Sequence, residues 1–150
     1  MEKQLIVKNT ISLNAPISVV WDALVNPNKT KIYMFGCETV SDWKVGSPLL
    51  WRMNYEGKEM IPVKGFILEI EPYKILKYTV IDPTASYPDI PENYLNVTYE
   101  LAEQNGETTF TVSQDGFETA AEGEKRYKDV YNNGEGWNPI LVQIKNLVEA

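Results

Sequence analysis

Apolar positions recur first as in a strand, then as in a helix, then as in a long series of strands. Residues 4–13 (QLIVKNTISL) are rich in β-branched side chains and predict a strand. Asn14-Ala15-Pro16 then opens a helix, with Pro16 suited to the first helical position, where a missing N–H loses no bond. Ile17, Val20, Trp21 and Leu24 fall on one stripe of that helix, and Asn26-Pro27 ends it. A second short helix is expected around 29–35, turning Ile32 and either Phe35 or Met34 inward.

Past the turn Gly46-Ser47-Pro48 the period changes to two. Trp51, Met53 and Tyr55 share one face of a strand, with Arg52 and Asn54 on the other. Glu56-Gly57-Lys58 turns the chain into a strand over 59–71 that puts Val63, Gly65 and Ile67 on one face. Phe66 to Ile70 does not alternate, which a β-bulge would explain. After the turn at 71–74, Leu76, Tyr78 and Val80 face one way. Residues 82–93 (DPTASYPDIPEN) hold three prolines and form the longest expected loop, a lid or rim in many compact domains. Val97, Tyr99 and Leu101 alternate on the next strand, Gln104-Asn105-Gly106-Glu107 makes a hairpin, and Phe110, Val112 and Gln114 alternate on the last.

The C-terminal segment returns to helical spacing. A helical stretch over 122–131 is broken at 132–136, and Trp137, Ile140, Leu141, Ile144, Leu147 and Val148 then form one stripe. Pro139 sits in the first turn if that helix starts near Gly136 and kinks it if the helix starts earlier. Short connections between strands imply antiparallel neighbours. A sheet with one apolar face needs a cover, and the C-terminal helix is the element long enough to provide it. The expected fold is therefore α+β.

Composition narrows the chemistry. The 150 residues suit one domain, which at that size buries roughly 70% of its extended-chain surface. A net charge of -7 argues against nucleic acid and against anionic membrane surfaces. Cys37 is the only cysteine, which excludes an internal disulfide and fits a reducing, cytoplasmic setting. The leading residues lack the apolar segment of a signal peptide, and no apolar run approaches the roughly 18 residues of a membrane span. There is no histidine, so Ser-His triads, Cys-His pairs and histidine metal sites are excluded. Glu69/Glu71 and Glu122/Glu124 fall on expected turns or solvated faces. Gly134-Glu135-Gly136 follows no strand and has no Lys-Ser/Thr after it, so it is not a phosphate loop. No catalytic residue, metal or cofactor is expected.

The order of elements, with Asn14-Ala15-Pro16-Ile17 opening a helix that carries Val20-Trp21 and ends at Asn26-Pro27, resembles the START-like, or helix-grip, superfamily. Gly65-Phe66-Ile67-Leu68-Glu69-Ile70-Glu71-Pro72 looks like that family's glycine-opened strand ending in a proline turn. Thr109 to Phe117 (TFTVSQDGF) looks like its last strand, and Gly136-Trp137 with Leu141 and Leu147 like its C-terminal helix. Together these are most similar to the C-terminal domain of activators of the heat shock protein 90 ATPase, over nearly the whole chain. The resemblance implies one helix-grip domain over residues 1–150, a curved antiparallel sheet wrapped around the C-terminal helix. It also implies a cavity between sheet and helix, used by members for apolar or amphipathic small molecules. The chaperone activators carry a separate N-terminal domain that contributes chaperone binding.

The candidate ligand-binding set is Met34, Phe35, Trp51, Met53, Tyr55, Val63, Gly65, Ile67, Tyr78, Val80, Phe110, Val112, Gln114, Trp137, Leu141 and Ile144. Each alone reads as an ordinary core position. Together they are rich in aromatics and carry a few polar tips, as ligand pockets do. Gln114 would need a partner: a ligand, a tyrosine hydroxyl or a buried water. An empty ~300 Å³ pocket would cost about 7 kcal/mol, against a total stability of about 5–15 kcal/mol. Such a space is used, hydrated, or plugged by Trp51, Met53 and Tyr55. The leading expectation is non-catalytic binding of a small hydrophobic molecule, with 82–93 and Met34–Phe35 at the mouth. A chaperone-associated protein-binding module and a polyketide cyclase or aromatase are the alternatives.

Overall fold

A computed structural model describes residues 5–149. The expected strand start at Gln4 and the residues before it lie outside that range. The chain runs β1 (Val7–Leu13), α1 (Ile17–Val25), α2 (Pro27–Tyr33), β2 (Glu38–Ser41), β3 (Pro48–Tyr55), β4 (Lys58–Glu71), β5 (Ile75–Val80), β6 (Leu95–Gln104), β7 (Glu107–Asp115), α3 (Gly123–Tyr131) and α4 (Asn138–Val148). The strands form one antiparallel sheet in the order β1-β7-β6-β5-β4-β3-β2. β1 pairs with the last strand, and α1 and α2 carry the chain to the opposite edge, where β2 begins.

Period-two patterning decides which face of the sheet is covered. Leu95, Val97, Tyr99 and Leu101 of β6 and Phe110, Val112 and Gln114 of β7 are buried, alternating with residues more open to solvent. They meet Leu141 and Ile144 of α4 and Val20, Trp21 and Leu24 of α1 in one core. α4 also packs against β1 and α2. This is the helix-grip architecture: a sheet closed around its C-terminal helix. Among the described residues, no helix is long and apolar enough to cross a membrane.

β4 is the strand that bends. Opposite β5, one extra residue enters β4 between Ile67 and Glu69, a bulge at Leu68 where the sequence loses its alternation. Opposite β3, a second shift adds a residue to the β4 stretch holding Pro62, which has no N–H to give the ladder. Between the two shifts stands Gly65. A Cβ there would lie 1.6 Å from the Thr79 carbonyl oxygen. The close approach of two backbones, rather than any ligand, is what requires glycine at this position.

The local structure corrects three expectations. Pro16 is the N-cap of α1, with extended ψ of 151°, rather than its first helical residue. α2 starts at Pro27, where the Asn26 side chain accepts from the Asn28 N–H at 3.0 Å, and it ends at Tyr33 rather than Phe35. The Tyr33 hydroxyl donates to the Ala23 carbonyl at 2.7 Å, which turns Thr30 and Tyr33 inward and leaves Ile32 exposed. The chain kinks between α3 and α4, at Asn132 to Gly134, so Pro139 need not kink α4. α4 begins at Asn138, so Pro139 lies in its first turn. Asn9 of β1 holds this start: its Oδ1 accepts from the Trp137 N–H at 2.9 Å, and its Nδ2 donates to Asn138 Oδ1 at 3.2 Å. A Cβ on Gly136 would sit 2.4 Å from Asn9 Oδ1, so the anchor needs a glycine beside it.

Candidate functional site

Between the sheet and the start of α4 lies a cavity of ≈ 390 Å³. β3 supplies Trp51 and Met53, β4 Pro62 and Val63, β5 Tyr78 and Val80, β6 Val97, and β7 Gln114. Trp137 at the N-cap of α4 and Ile140 within it close the cavity on one side, and Met34, Phe35 and Cys37 close it from the segment after α2. Tyr78, Val97 and Gln114 face one another in register across three strands, so the floor follows directly from sheet pairing. The cavity opens to solvent past Phe35, which is 80% exposed. Phe35 adopts φ of 56°, a left-handed conformation unusual for an aromatic residue, and Gly36 follows at 87°. The pair ends α2 sharply and leaves the ring at the rim.

The sequence-derived set divides on this geometry. Met34, Phe35, Trp51, Met53, Val63, Tyr78, Val80, Gln114 and Trp137 line the cavity. Tyr55 does not: it pairs with Lys58 at the hairpin end and is 58% exposed, beyond the cover of α4. Gly65 marks the bend of β4. Ile67, Phe110, Val112, Leu141 and Ile144 are 1% exposed or less and belong to solid core. Cys37, Pro62, Val97 and Ile140 complete the lining and were not in the set. Val97 and Ile140 were within reach of pattern reading, since one alternates inward with Tyr99 and the other lies on the helical stripe. The loop 82–93 is not at this mouth. Its Asp89 and Pro91 border a second cavity of ≈ 660 Å³ with Val45, Phe66, Leu68 and Tyr94. The loop is tied down by Asn93, which donates to Pro88 O at 2.8 Å and accepts from Ala121 N at 2.8 Å. Arg126 Nη1 donates to Asn93 O at 2.7 Å and its guanidinium lies 4.6 Å from the Tyr87 ring centre.

Polar groups at the cavity are few and neutral. The Trp137 indole N–H donates to Gln114 Oε1 at 3.0 Å, a buried bond between the two walls. The Tyr78 and Tyr99 hydroxyls are 2.7 Å apart and share one hydrogen bond, in which either can be the donor. Burial holds the Tyr78 hydroxyl well above its ordinary pKa and raises the Cys37 thiol above 9.0. Both therefore stay protonated at neutral pH, and neither is a base or a thiolate. The walls are an aromatic series: Trp51 to Tyr78 at 6.1 Å, Tyr78 to Tyr99 at 5.4 Å, and Tyr99 to Trp137 at 6.1 Å between ring centres. Among the described residues that line the space, none carries a charge. The arrangement can solvate an apolar molecule and offer it one amide and the Trp51 indole N–H.

Comparison with known proteins places this architecture. The family described as Activator of Hsp90 ATPase homolog 1-like protein matches residues 14–149. The solution structure of ChR145 from Cytophaga hutchinsonii is similar at 40% identity and a TM-score of 0.76, covering 99% of this chain and 97% of that one. The crystal structure of NE0264 from Nitrosomonas europaea shares the fold at 19% identity and a TM-score of 0.73, covering 99% and 97%. DynU16, a protein from the dynemicin biosynthetic locus, shares it at 16% identity and a TM-score of 0.70, covering 99% of this chain and 48% of its own. A comparison with curated proteins gives no match. With nearly its whole length matched, the chain belongs to the activator of Hsp90 ATPase homolog 1-like family of the START-like, helix-grip superfamily.

Proposed function

We propose that this protein binds a small apolar or aromatic molecule in the cavity between the sheet and α4, without catalysis. The observation that carries this reading is an uncharged space of ≈ 390 Å³ that its own large side chains leave unfilled. Closed and dry, a void of 390 Å³ would cost about 9 kcal/mol, comparable with a whole domain's stability. Opening past Phe35 lets water in, but such walls offer water few partners. Its release by an apolar ligand is favourable. The volume also lies in the range of small-molecule sites. Members of this fold bind hydrophobic ligands or act as cyclases. The lone Cys37 fits work in a reducing cytoplasm.

Titration with neutral aromatic probes tests the reading through tryptophan fluorescence, because Trp51 and Trp137 stand in the wall. A saturable change is expected in the natural protein, lost when Val63→Trp fills the cavity. No saturable change across a broad probe panel overturns it. The family's name supports a second reading, a module that binds a chaperone. The exposed Val45, Phe66 and Leu68 beside the second cavity would then matter. Stoichiometric capture of a chaperone, unaltered by Val63→Trp, would favour that reading. The biosynthetic locus of DynU16 raises a cyclase reading. The absence of any carboxylate or histidine among the lining residues weighs against it.

A further inference from the structure

Gln114 gives the cavity a direction. Its side chain is 6% exposed, and its Oε1 accepts from the Trp137 indole at 3.0 Å. An indole N–H only donates, so the amide atom facing it must be the oxygen. The amino group of Gln114 therefore points elsewhere, and turning the amide over would set donor against donor. That amino group has no partner among the described residues. It is also not among buried polar atoms sealed from solvent without a bond, so it reaches open space. Gln114 lines two such spaces, the cavity and a neighbouring one of ≈ 290 Å³ that Asp129 and Asn132 also line. An unpaired pair of N–H donors on a residue only 6% exposed is a place for an acceptor.

We propose that the cavity takes a neutral aromatic molecule bearing a ring carbonyl, with the carbonyl oxygen accepting from Gln114 Nε2. This rests on the ligand-binding reading above and sharpens it to a ligand class. The Tyr78 hydroxyl is taken up by Tyr99 at 2.7 Å, and a thiol such as Cys37 is a weak donor. Gln114 Nε2 and the Trp51 indole N–H, which also has no partner among the described residues, are thus the strong donors free to a ligand, and Gln114 is the one whose direction Trp137 fixes. An anionic group beside it would lack a counter-charge, and an ammonium would meet N–H donors, so neither is favoured inside apolar walls. Trp51 and Tyr78 on one side and Trp137 on the other supply flat surfaces for a ring system. Trp137 acts here as a positioning residue, because its indole fixes which end of the amide the ligand meets.

Equilibrium dialysis with a matched pair of probes, 9-fluorenone and fluorene, tests this on the full chain. The two share a ring system and differ at the carbonyl. The natural protein is expected to bind fluorenone about five- to tenfold more tightly, the effect of one net hydrogen bond. Gln114→Met keeps the length of the side chain and removes both donors. The ratio of its fluorenone affinity to its fluorene affinity should fall to about one, whatever happens to either affinity alone. Trp137→Phe frees the amide to turn and should reduce the preference, which keeps the test open if Gln114→Met does not fold. Equal binding of the two probes by the natural protein overturns the acceptor assignment and leaves the ligand-binding reading standing. A preference retained by Gln114→Met overturns it as well. Binding of neither probe overturns the ligand class proposed here, and the ligand-binding reading is then decided by the broad probe panel.

Discussion

Trp137→Phe tests the joint between sheet and helix on which the cavity depends. It keeps an aromatic ring at the N-cap of α4 but deletes the donor that meets Gln114 Oε1 at 3.0 Å. Losing a buried hydrogen bond costs about 0.5–1.5 kcal/mol, and leaving its acceptor unpaired moves the figure toward the upper end. The smaller ring also gives up apolar contact with Tyr99, 6.1 Å away between centres, on the order of 1 kcal/mol. The expected loss is about 2–3 kcal/mol, or a fall in Tm of roughly 5–10 °C for a domain of this size. Urea denaturation followed by circular dichroism measures it, with m unchanged. Gln114→Met alone should cost about 1–2 kcal/mol, because it orphans the indole N–H. The double variant should lose less than the sum, with a coupling of about 1 kcal/mol. Losses that add to within about 0.5 kcal/mol would refute the bond as a structural link between the two walls.

Other consequences follow from single positions. Gly65→Ala drives a Cβ to 1.6 Å from the Thr79 oxygen and must part β4 from β5, where Lys64 and Ile81 exchange bonds of 3.0 and 2.8 Å. A loss of about 3 kcal/mol or more is expected in the same assay, and an unchanged midpoint would contradict the close approach. The Glu149 carboxylate accepts from the Asn14 N–H at 2.8 Å and pairs with Lys145, which holds its pKa below the ordinary 4.5. A depressed folded-state pKa stabilises above the unfolded value and ceases to do so as pH falls through the folded one. Glu149→Gln should therefore be less stable than the natural protein at pH 7, with the gap closing below about pH 4; denaturation midpoints at pH 7 and pH 3 check this. Phe35→Gly replaces an 80% exposed ring held at φ 56° with the residue that tolerates that backbone. Its Tm should stay level or rise slightly, while probe affinity falls several-fold; a large drop in Tm would show that Phe35 packs more than it lines.

The sequence carried the sheet clearly because its pattern is local. Alternation through Leu76–Tyr78–Val80, Val97–Tyr99–Leu101 and Phe110–Val112–Gln114 marks one face, and sheet pairing makes neighbours of residues on that face. It could not separate cavity wall from filled core, since both present apolar side chains to the same interior. Ile140 lines the space while Leu141 and Ile144, on the same helical stripe, are sealed against it. That difference depends on how α4 is rolled by the bonds of Asn9 to Trp137 and Asn138, contacts more than a hundred residues apart in sequence. Tyr55 fits the period of Trp51 and Met53, yet the strand outruns the helix that would cover it. The four residues of β2 are too few to show a period. The family resemblance supplied the cavity as an idea; pattern reading named nine of its thirteen lining residues but could not tell them from core.

Methyl chemical shifts under titration with 9-fluorenone test the central claim most directly. Binding between sheet and α4 predicts saturable shifts at Met34, Met53, Val63, Val80 and Ile140, with Val112, Leu141 and Ile144 responding far less. Shifts confined to Val45 and Leu68 beside the outer cavity, or no shift at any of these methyls at saturating probe, would contradict it.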